Sequence, residues 1–286
     1  MRFLGTGAGE GTPNPFCTCE ICENARRVGG KEIRSRSSFR LDAETIIDIG
    51  ADFFMQATQL KETFDSLRHV FYTHTHFDHF NYTMMWERLV KRGGCTEPLT
   101  IYVTDSAYDV VDKFFRASAF TKDSWKSYIN PEQTQFVRLE FLKQYQIGNY
   151  RVTPLRGDHK TSLEENSANY LFENEKMSLY YALDSGPFLK ETFEYLSGKR
   201  LDYFIGECTF PVLDKDYMPD IHGHMDTNAC LLNLDRLYQR NAIDEHTKVY
   251  LTHIGPVGAT HAQLEAYIAA KNLPYSITVA YDGLEL

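Results

Sequence analysis

No stretch of 18 apolar residues occurs in this 286-residue sequence, and its uninterrupted apolar runs are only a few residues long. A membrane-spanning helix is therefore excluded. Internal repeats, low-complexity tracts and linkers rich in proline, glycine or serine are also missing, so nothing divides the chain, and one domain over residues 1–286 is expected. Positive charge is in short supply. Thirty Lys and Arg stand against 39 Asp and Glu, a formal net charge of −9, which argues against a broad nucleic-acid-binding surface though not against one local phosphate site. Met1-Arg2-Phe3-Leu4-Gly5 enters a strand-like run with no apolar signal core, so no secretory signal is visible. Cysteine is scarce and unevenly placed: Cys17, Cys19 and Cys22 fall within six residues, while Cys95, Cys208 and Cys230 are scattered. A secreted disulfide framework would spread pairs along a shorter chain, so a cytoplasmic location is expected. The tight trio cannot easily bridge itself but can wrap a metal. With 43% apolar and 24% charged residues, the chain is neither disordered nor fibrous.

What the sequence does supply is a steady series of short β-branched and aromatic runs. Those at 45–48, 69–73, 99–103, 150–155, 178–183, 203–205, 248–252 and 276–280 read as strands. Helical spacing separates many of them, over 52–60, 82–91, 106–115, 189–196, 227–240 and 261–271. Strand runs adjoin without a helix at 137–155 and 168–183, where hairpins are expected. The result is a mixed α/β chain with strands enough for two sheets. Residues 116–136 lack a clean period and are expected to form an irregular or short-helical insertion.

The strongest chemical signal is Thr73-His74-Thr75-His76-Phe77-Asp78-His79, between a β run and a helical pattern. Imidazole and carboxylate are borderline ligands suited to Zn, Mn or Fe. A polar turn with a capping aspartate is the bland alternative, but histidines this close repel when protonated and gain nothing by clustering. Further ligands must come from other strand ends on the same rim. His159 follows the strand expected to end at Leu155, and Asp184 and His253 each end an apolar run. Singly, a loop histidine, a helix N-cap and a strand-end hydrogen bonder explain them equally well; with the histidine-rich segment they form one set. His224 precedes a helical run and by spacing alone reads as part of a polar helix start. Arg26, Arg27, Lys31, Arg34, Arg36 and Arg40 read as a solvated face, or in one or two cases as a phosphate contact. Cys208 and Cys230 read as buried small apolar groups.

In this order, HxHxDH followed by His, Asp and His, the sequence resembles the metallo-β-lactamase fold superfamily over nearly its whole length. Gly5-Thr6-Gly7-Ala8-Gly9 and Ile47-Asp48-Ile49-Gly50 are similar to that fold's first turn and its "IDxG" strand. The resemblance implies a four-layer αβ/βα sandwich with two divalent cations (Zn or Mn, with Fe a further option) at one edge. It implies His74, His76 and His159 on one cation, Asp78, His79 and His253 on the other, and Asp184 bridging. A hydroxide between the cations would be the nucleophile, oriented by Asp78.

The cysteine trio, the segment His224-Met225-Asp226-Thr227-Asn228, the LTHI segment around His253 and the terminal AYDGLEL are similar to phosphoribosyl cyclic-phosphate phosphodiesterases of the carbon–phosphorus lyase pathway. That resemblance implies hydrolysis of a small or cyclic phosphodiester, with His224 as the catalytic residue that assists the leaving oxygen. It also implies a homodimer and a structural zinc on Cys17, Cys19 and Cys22. In that family a histidine stands three positions after the strand-end one, where this chain has Pro256; His261 or His222 is then expected as the fourth ligand. Glu207-Cys208-Thr209-Phe210 and His224 are also similar to transfer-RNA 3′-processing endonucleases. Asp184 follows His159 by only 25 residues, leaving no room for the RNA-gripping arm of that family, so nucleic acid is not expected as a partner. A pyrroloquinoline-quinone biosynthesis protein, a carrier or oxidase with a similar cysteine cluster, is the non-hydrolytic alternative. The full set of seven ligand positions favours catalysis.

Overall fold

Alternation of buried residues explains the layers. The structure, a computed structural model, describes residues 1–94, 96–117, 134–161, 163–213 and 223–286. Its first sheet runs in chain order through β1 (Arg2–Gly5), β2 (Ser38–Arg40), β3 (Thr45–Ile47), β4 (His69–Phe71), β5 (Leu99–Thr104) and β6 (Thr134–Leu139). β1 to β3 pair antiparallel, and β3 to β6 pair parallel. The second sheet contains β7 (Tyr145–Ile147), β8 (Tyr150–Lys160), β9 (Asn166–Glu173), β10 (Ser178–Ala182), β11 (Tyr203–Glu207), β12 (Lys248–Thr252) and β13 (Ser276–Val279), again as consecutive neighbours. Here β7 to β10 are antiparallel, and β10 to β13 are parallel.

Parallel neighbours need crossover connections, and helices supply them. α1 (Glu20–Val28) precedes β2; α2 (Phe53–Leu60), α3 (Thr83–Leu89) and α4 (Asp105–Ala117) follow β3, β4 and β5. α5 (Lys190–Leu196), α6 (Thr227–Gln239) and α7 (His261–Ala269) follow β10, β11 and β12. Neighbouring residues on a strand face opposite ways. Ile47 and Phe71 enter the core between the sheets with Tyr170, Phe172 and Tyr181, whereas Ile46 and Val70 turn to the outer layer with Ala107 and Val111 of α4. In the second sheet Tyr181 faces inward, while Tyr180 packs outward with Phe193 of α5 and Leu234 of α6. The four layers of helix, sheet, sheet and helix follow.

Three readings need correction. α1 was not apparent from spacing. β8 continues past Leu155 to Lys160, with irregular pairing between Arg156 and Lys160, so His159 lies within the strand rather than after it. Of the expected irregular insertion at 116–136, residues 116–117 belong to α4 and 134–136 to β6, and residues 118–133 lie outside the described residues. Part of the basic stretch is structural. Buried Arg34 donates to Thr6 Oγ1 at 2.8 Å and to the Ala280 carbonyl at 2.6 Å, joining the first turn to the end of the chain. Among the described residues no helix is long and apolar enough to cross a membrane.

Candidate metal centre

The carboxyl ends of parallel strands lie on one edge, and the histidine-rich segment leaves β4 there. Asp48, Asp184 and His253 follow β3, β10 and β12, and take positive φ angles of 59°, 49° and 54°. Residues with a Cβ pay strain for that conformation, and the surrounding structure holds them in it. Their turn directs the side chains onto the rim.

Two groups of side chains meet. In the first, His76 Nδ1 lies 2.9 Å from His74 Nε2 and 3.3 Å from His159 Nε2, while Asp184 Oδ2 lies 3.3 Å from His74 and 3.8 Å from His159. In the second, His79 Nε2 lies 3.2 Å from both Asp78 Oδ2 and His253 Nε2. Asp184 Oδ1 is 2.8 Å from His253 Nε2 and 3.4 Å from His79 Nε2. Asp184 thus offers one oxygen to each group. Within each group the ligand atoms lie within 4.8 Å of one another.

This donor set fits divalent cations. Ring nitrogens face one another, His74 Nε2 and His76 Nδ1 at 2.9 Å and His79 Nε2 and His253 Nε2 at 3.2 Å, distances that a positive charge between them reconciles. Electrostatics agree. Burial drives His74 down to about 3, so its ring is neutral. Burial also opposes charge on His253, but Asp184 outweighs it and lifts that ring to about 10. Asp184 is disfavoured by burial, yet His253, His79 and His74 hold its carboxyl well below the ordinary range. Burial opposes charge on His79 too, yet Asp184, Asp78 and Asp48 raise its pKa, whereas ligation would require the neutral ring.

A supporting layer fixes the rings. Asp48 accepts from His79 Nδ1 at 2.7 Å and from the Thr73 amide and hydroxyl at 2.8 Å each, leaving His79 Nε2 for the group. Thr209 Oγ1 meets His253 Nδ1 at 2.9 Å and donates to Glu207 Oε2 at 2.5 Å. Glu207 is fully buried. Its Oε1 accepts from the Ser185 and Gly186 amides, and its Oε2 from the Met225 amide and from His224 Nδ1 at 3.1 Å. The His224 ring stacks 5.6 Å from His253 and lies 4.6 Å from His159. Gly223 makes that approach possible: at φ +80° a Cβ would sit 2.5 Å from the Asp158 carbonyl. Glu165 Oε2 accepts from the Thr75 amide and hydroxyl, and burial pushes its carboxyl up to about 7.

A family model described as a beta-lactamase superfamily domain matches residues 44–254. The chain belongs to the metallo-β-lactamase superfamily. The crystal structure of a new diphosphatase from the PhnP family superposes with a TM-score of 0.72, covering 100% of this chain and 97% of that one at 21% identity. Zinc-bound PqqB from Methylobacterium extorquens superposes at 0.69, over 100% and 99% of the two chains, at 14% identity. An octanoyltransferase of Porphyromonas gingivalis (strain ATCC BAA-308 / W83) is 24% identical over 299 residues, which is 99% of this chain and 50% of that protein. The chain therefore spans about half the length of the curated relative it matches.

In this superfamily member Gly50 is the position where the rim tolerates no side chain. A Cβ there would lie 2.0 Å from the Asp78 carbonyl. Gly50→Ala is expected to displace the His74–His79 segment and to lower stability by about 1–3 kcal/mol. Thermal unfolding alongside metal content checks this; an unchanged melting temperature would refute the close approach.

The three thiols also come together, their Sγ atoms within 4.8 Å of one another, with Cys22 on α1 and Cys17 and Cys19 just before it. Asn14 and Cys19 amides donate to Cys22 and Cys17 Sγ at 3.4 Å. Burial pushes the Cys22 thiol up to about 11, whereas the Cys22 amide lowers Cys19. His261 is not brought to them. Its Nδ1 meets Arg34 Nη2 at 2.7 Å and its Nε2 lies 3.0 Å from Glu265, because His261 begins a helix whose first amides Glu32 accepts. Pro256 instead places its carbonyl 3.8 Å from Cys19 Sγ. His222 lies outside the described residues.

The centre opens into a cleft of about 800 Å³ bordered by Phe16, Arg36, Phe77 and Phe210. A hollow of about 960 Å³, lined by Asp42, Glu44, Tyr150 and Lys176 among others, holds none of the clustered groups. Sequence reasoning gave Asp48 and Thr209 no role, and named Arg36 only within the basic stretch. Asp48 stood inside the quoted IDIG motif, and Glu207 beside Cys208, so the signals were present without a partner to interpret them.

Proposed function

We propose that the chain is a dinuclear metal-dependent hydrolase of a small or cyclic phosphodiester. The observation that carries the reading is His224, held by buried Glu207 against the paired His and Asp groups. A hydrolase that needs only water activation has no use for a third ring there. A departing alkoxide needs a proton, and His224 is placed to give it.

His74, His76 and His159 would hold one cation, Asp78, His79 and His253 the other, and Asp184 both; Zn or Mn suits the donors, with Fe next. Bound there, such ions supply Lewis acidity and water activation near neutral pH. Glu207 accepts from His224 Nδ1 and so fixes Nε2 toward the cleft. Burial disfavours charge on His224, but Glu207 and Asp184 raise its pKa, which favours the protonated ring that donation requires. Asp78, whose Oδ2 lies 3.7 Å from His253 Nε2, is placed to orient the attacking water. Cys17, Cys19 and Cys22 are read as a structural zinc site. Cys22→Ser is then expected to lower bound zinc by one equivalent, measured by elemental analysis after gel filtration.

The span from His159 to Asp184 is filled by β9, β10 and their short connections, which favours a small substrate over a folded RNA. The deciding test offers a metal-loaded preparation an aryl phosphodiester, an aryl phosphomonoester and a thioester. Diester turnover that is lost on chelation and restored by Mn or Zn supports the reading. A fully loaded protein inert toward diesters would sink it and bring thioester or carrier roles forward.

A further inference from the structure

Two phenylalanines flank the cleft over the metal centre and bury little of themselves. Phe16 is 96% exposed and Phe77 64% exposed, and both border the cleft above Asp78 and His224. Single exposed apolar residues are ordinary, but large rings gathered with Phe210 around one cleft mark a ligand-binding surface.

Neither ring is on a loose tether. Asn14 organises the Phe16 loop: its side chain accepts from the Phe16 amide at 2.8 Å, and its carbonyl accepts from the Cys17 amide and from Arg26 Nη2. The Asn14 amide in turn donates to Cys22 Sγ, so the cysteine trio anchors this wall of the cleft. Beside Phe77, the Arg36 guanidinium lies 5.7 Å from the ring centroid. Arg36 is itself held, with Nη1 donating to Asp52 Oδ1 at 2.8 Å and Nε to the Gly9 carbonyl at 2.9 Å. Among the described residues its Nη2 is left without a partner. Of the six residues in the basic stretch, Arg36 is the one that borders the cleft.

We infer that Phe16 and Phe77 clamp a flat ring of the substrate and that Arg36 pairs with an anionic oxygen beside it. The substrate class is a nucleoside phosphodiester of small size. A nucleobase is the flat ring most often joined to such a linkage, and a base face stacks on phenylalanine whatever its sequence identity. Arg36 suits an anion because its remaining N–H groups are fixed in plane by Asp52 and Gly9. A single guanidinium in a chain of net charge −9 matches one small nucleotide better than a polyanion.

This rests on the phosphodiesterase reading, and the test separates the two. Thymidine 5′-(4-nitrophenyl phosphate) and methyl 4-nitrophenyl phosphate share a leaving group and differ in the nucleoside. The wild-type kcat/KM is expected to favour the thymidine ester by about tenfold or more, within the range of one base stacked on an aromatic ring. Phe16→Ala and Phe77→Ala should each collapse that ratio toward one, chiefly through KM, and Phe16→Leu should restore only part of it. Thymidine monophosphate binding, followed by calorimetry on the same proteins, reads the clamp without turnover. If both esters are cleaved equally and neither substitution alters the ratio, the clamp is wrong while the reaction stands. If neither ester is cleaved but the monophosphate binds in a Phe16-dependent way, the reaction class fails and the clamp stands.

Discussion

Asp184→Ala is expected to strip both cations together and to lower diester turnover by more than about a thousandfold. The reason lies in how Asp184 divides its oxygens. Oδ2 faces His74 and His159, and Oδ1 faces His253 and His79. Loss of a ligand at one half alone would leave the other half intact; loss of this residue leaves each half short by one anionic donor. The first half would then hold histidines alone, and the second would keep only the Asp78 carboxylate. A water of pKa near 15.7 in place of one near 7 accounts for the scale of the rate loss. Metal content and rate should fall in parallel. A variant that keeps one full equivalent of metal would show that Asp184 serves a single half.

His224→Ala is expected to separate the two readouts. The ring is held by Glu207 rather than by the ligand groups, so both metals should remain while the rate falls by about 10²- to 10⁴-fold, the range for loss of general acid–base assistance. Glu207→Gln gives a finer test through pH. Glu207 raises the His224 pKa, and a general acid works only below its own pKa. Removing that carboxylate lowers the pKa, so the decline of rate on the alkaline side should begin at a lower pH than in the wild type. An alkaline limb that stays in place, with both metals retained, would mean that His224 does not deliver the proton.

Much of the fold was legible because its cause is local. Strand runs such as 99–103 and 248–252 gather β-branched, aromatic and aliphatic residues in one short stretch, and the structure places β5 and β12 over them with shifts of at most one residue. Helix α7 begins at His261, one residue after a Thr260–Gln263 capping box that stands plainly in the sequence. α1 escaped because Glu20–Val28 buries only Cys22 and Ala25, too few positions to make an apolar stripe. Within the site, the histidine-rich segment needed no long-range information. The roles of Asp48 and Glu207 did, since an acidic residue at a strand end is unremarkable until the ring it holds is known. His261 misled for the converse reason. Counting residues from Pro256 located a histidine, but Arg34 and Glu32, more than 220 positions away, fix where that histidine goes.

The rim gathers its side chains from residue 48 to residue 253, one strand end at a time. Such a centre has a high contact order: the two sheets must pack before Asp48 of the first and Asp184 and His253 of the second can share one rim. His74, His76 and His79, by contrast, sit within six residues and are adjacent even in an unfolded chain. A cation met early in synthesis therefore finds half of a chelate before it finds a fold. Binding of that kind favours the denatured ensemble and offsets part of the stabilisation that metal gives the native state. Refolding yield should consequently depend on when metal is added, and should be higher when the chain is allowed to close its sheets first.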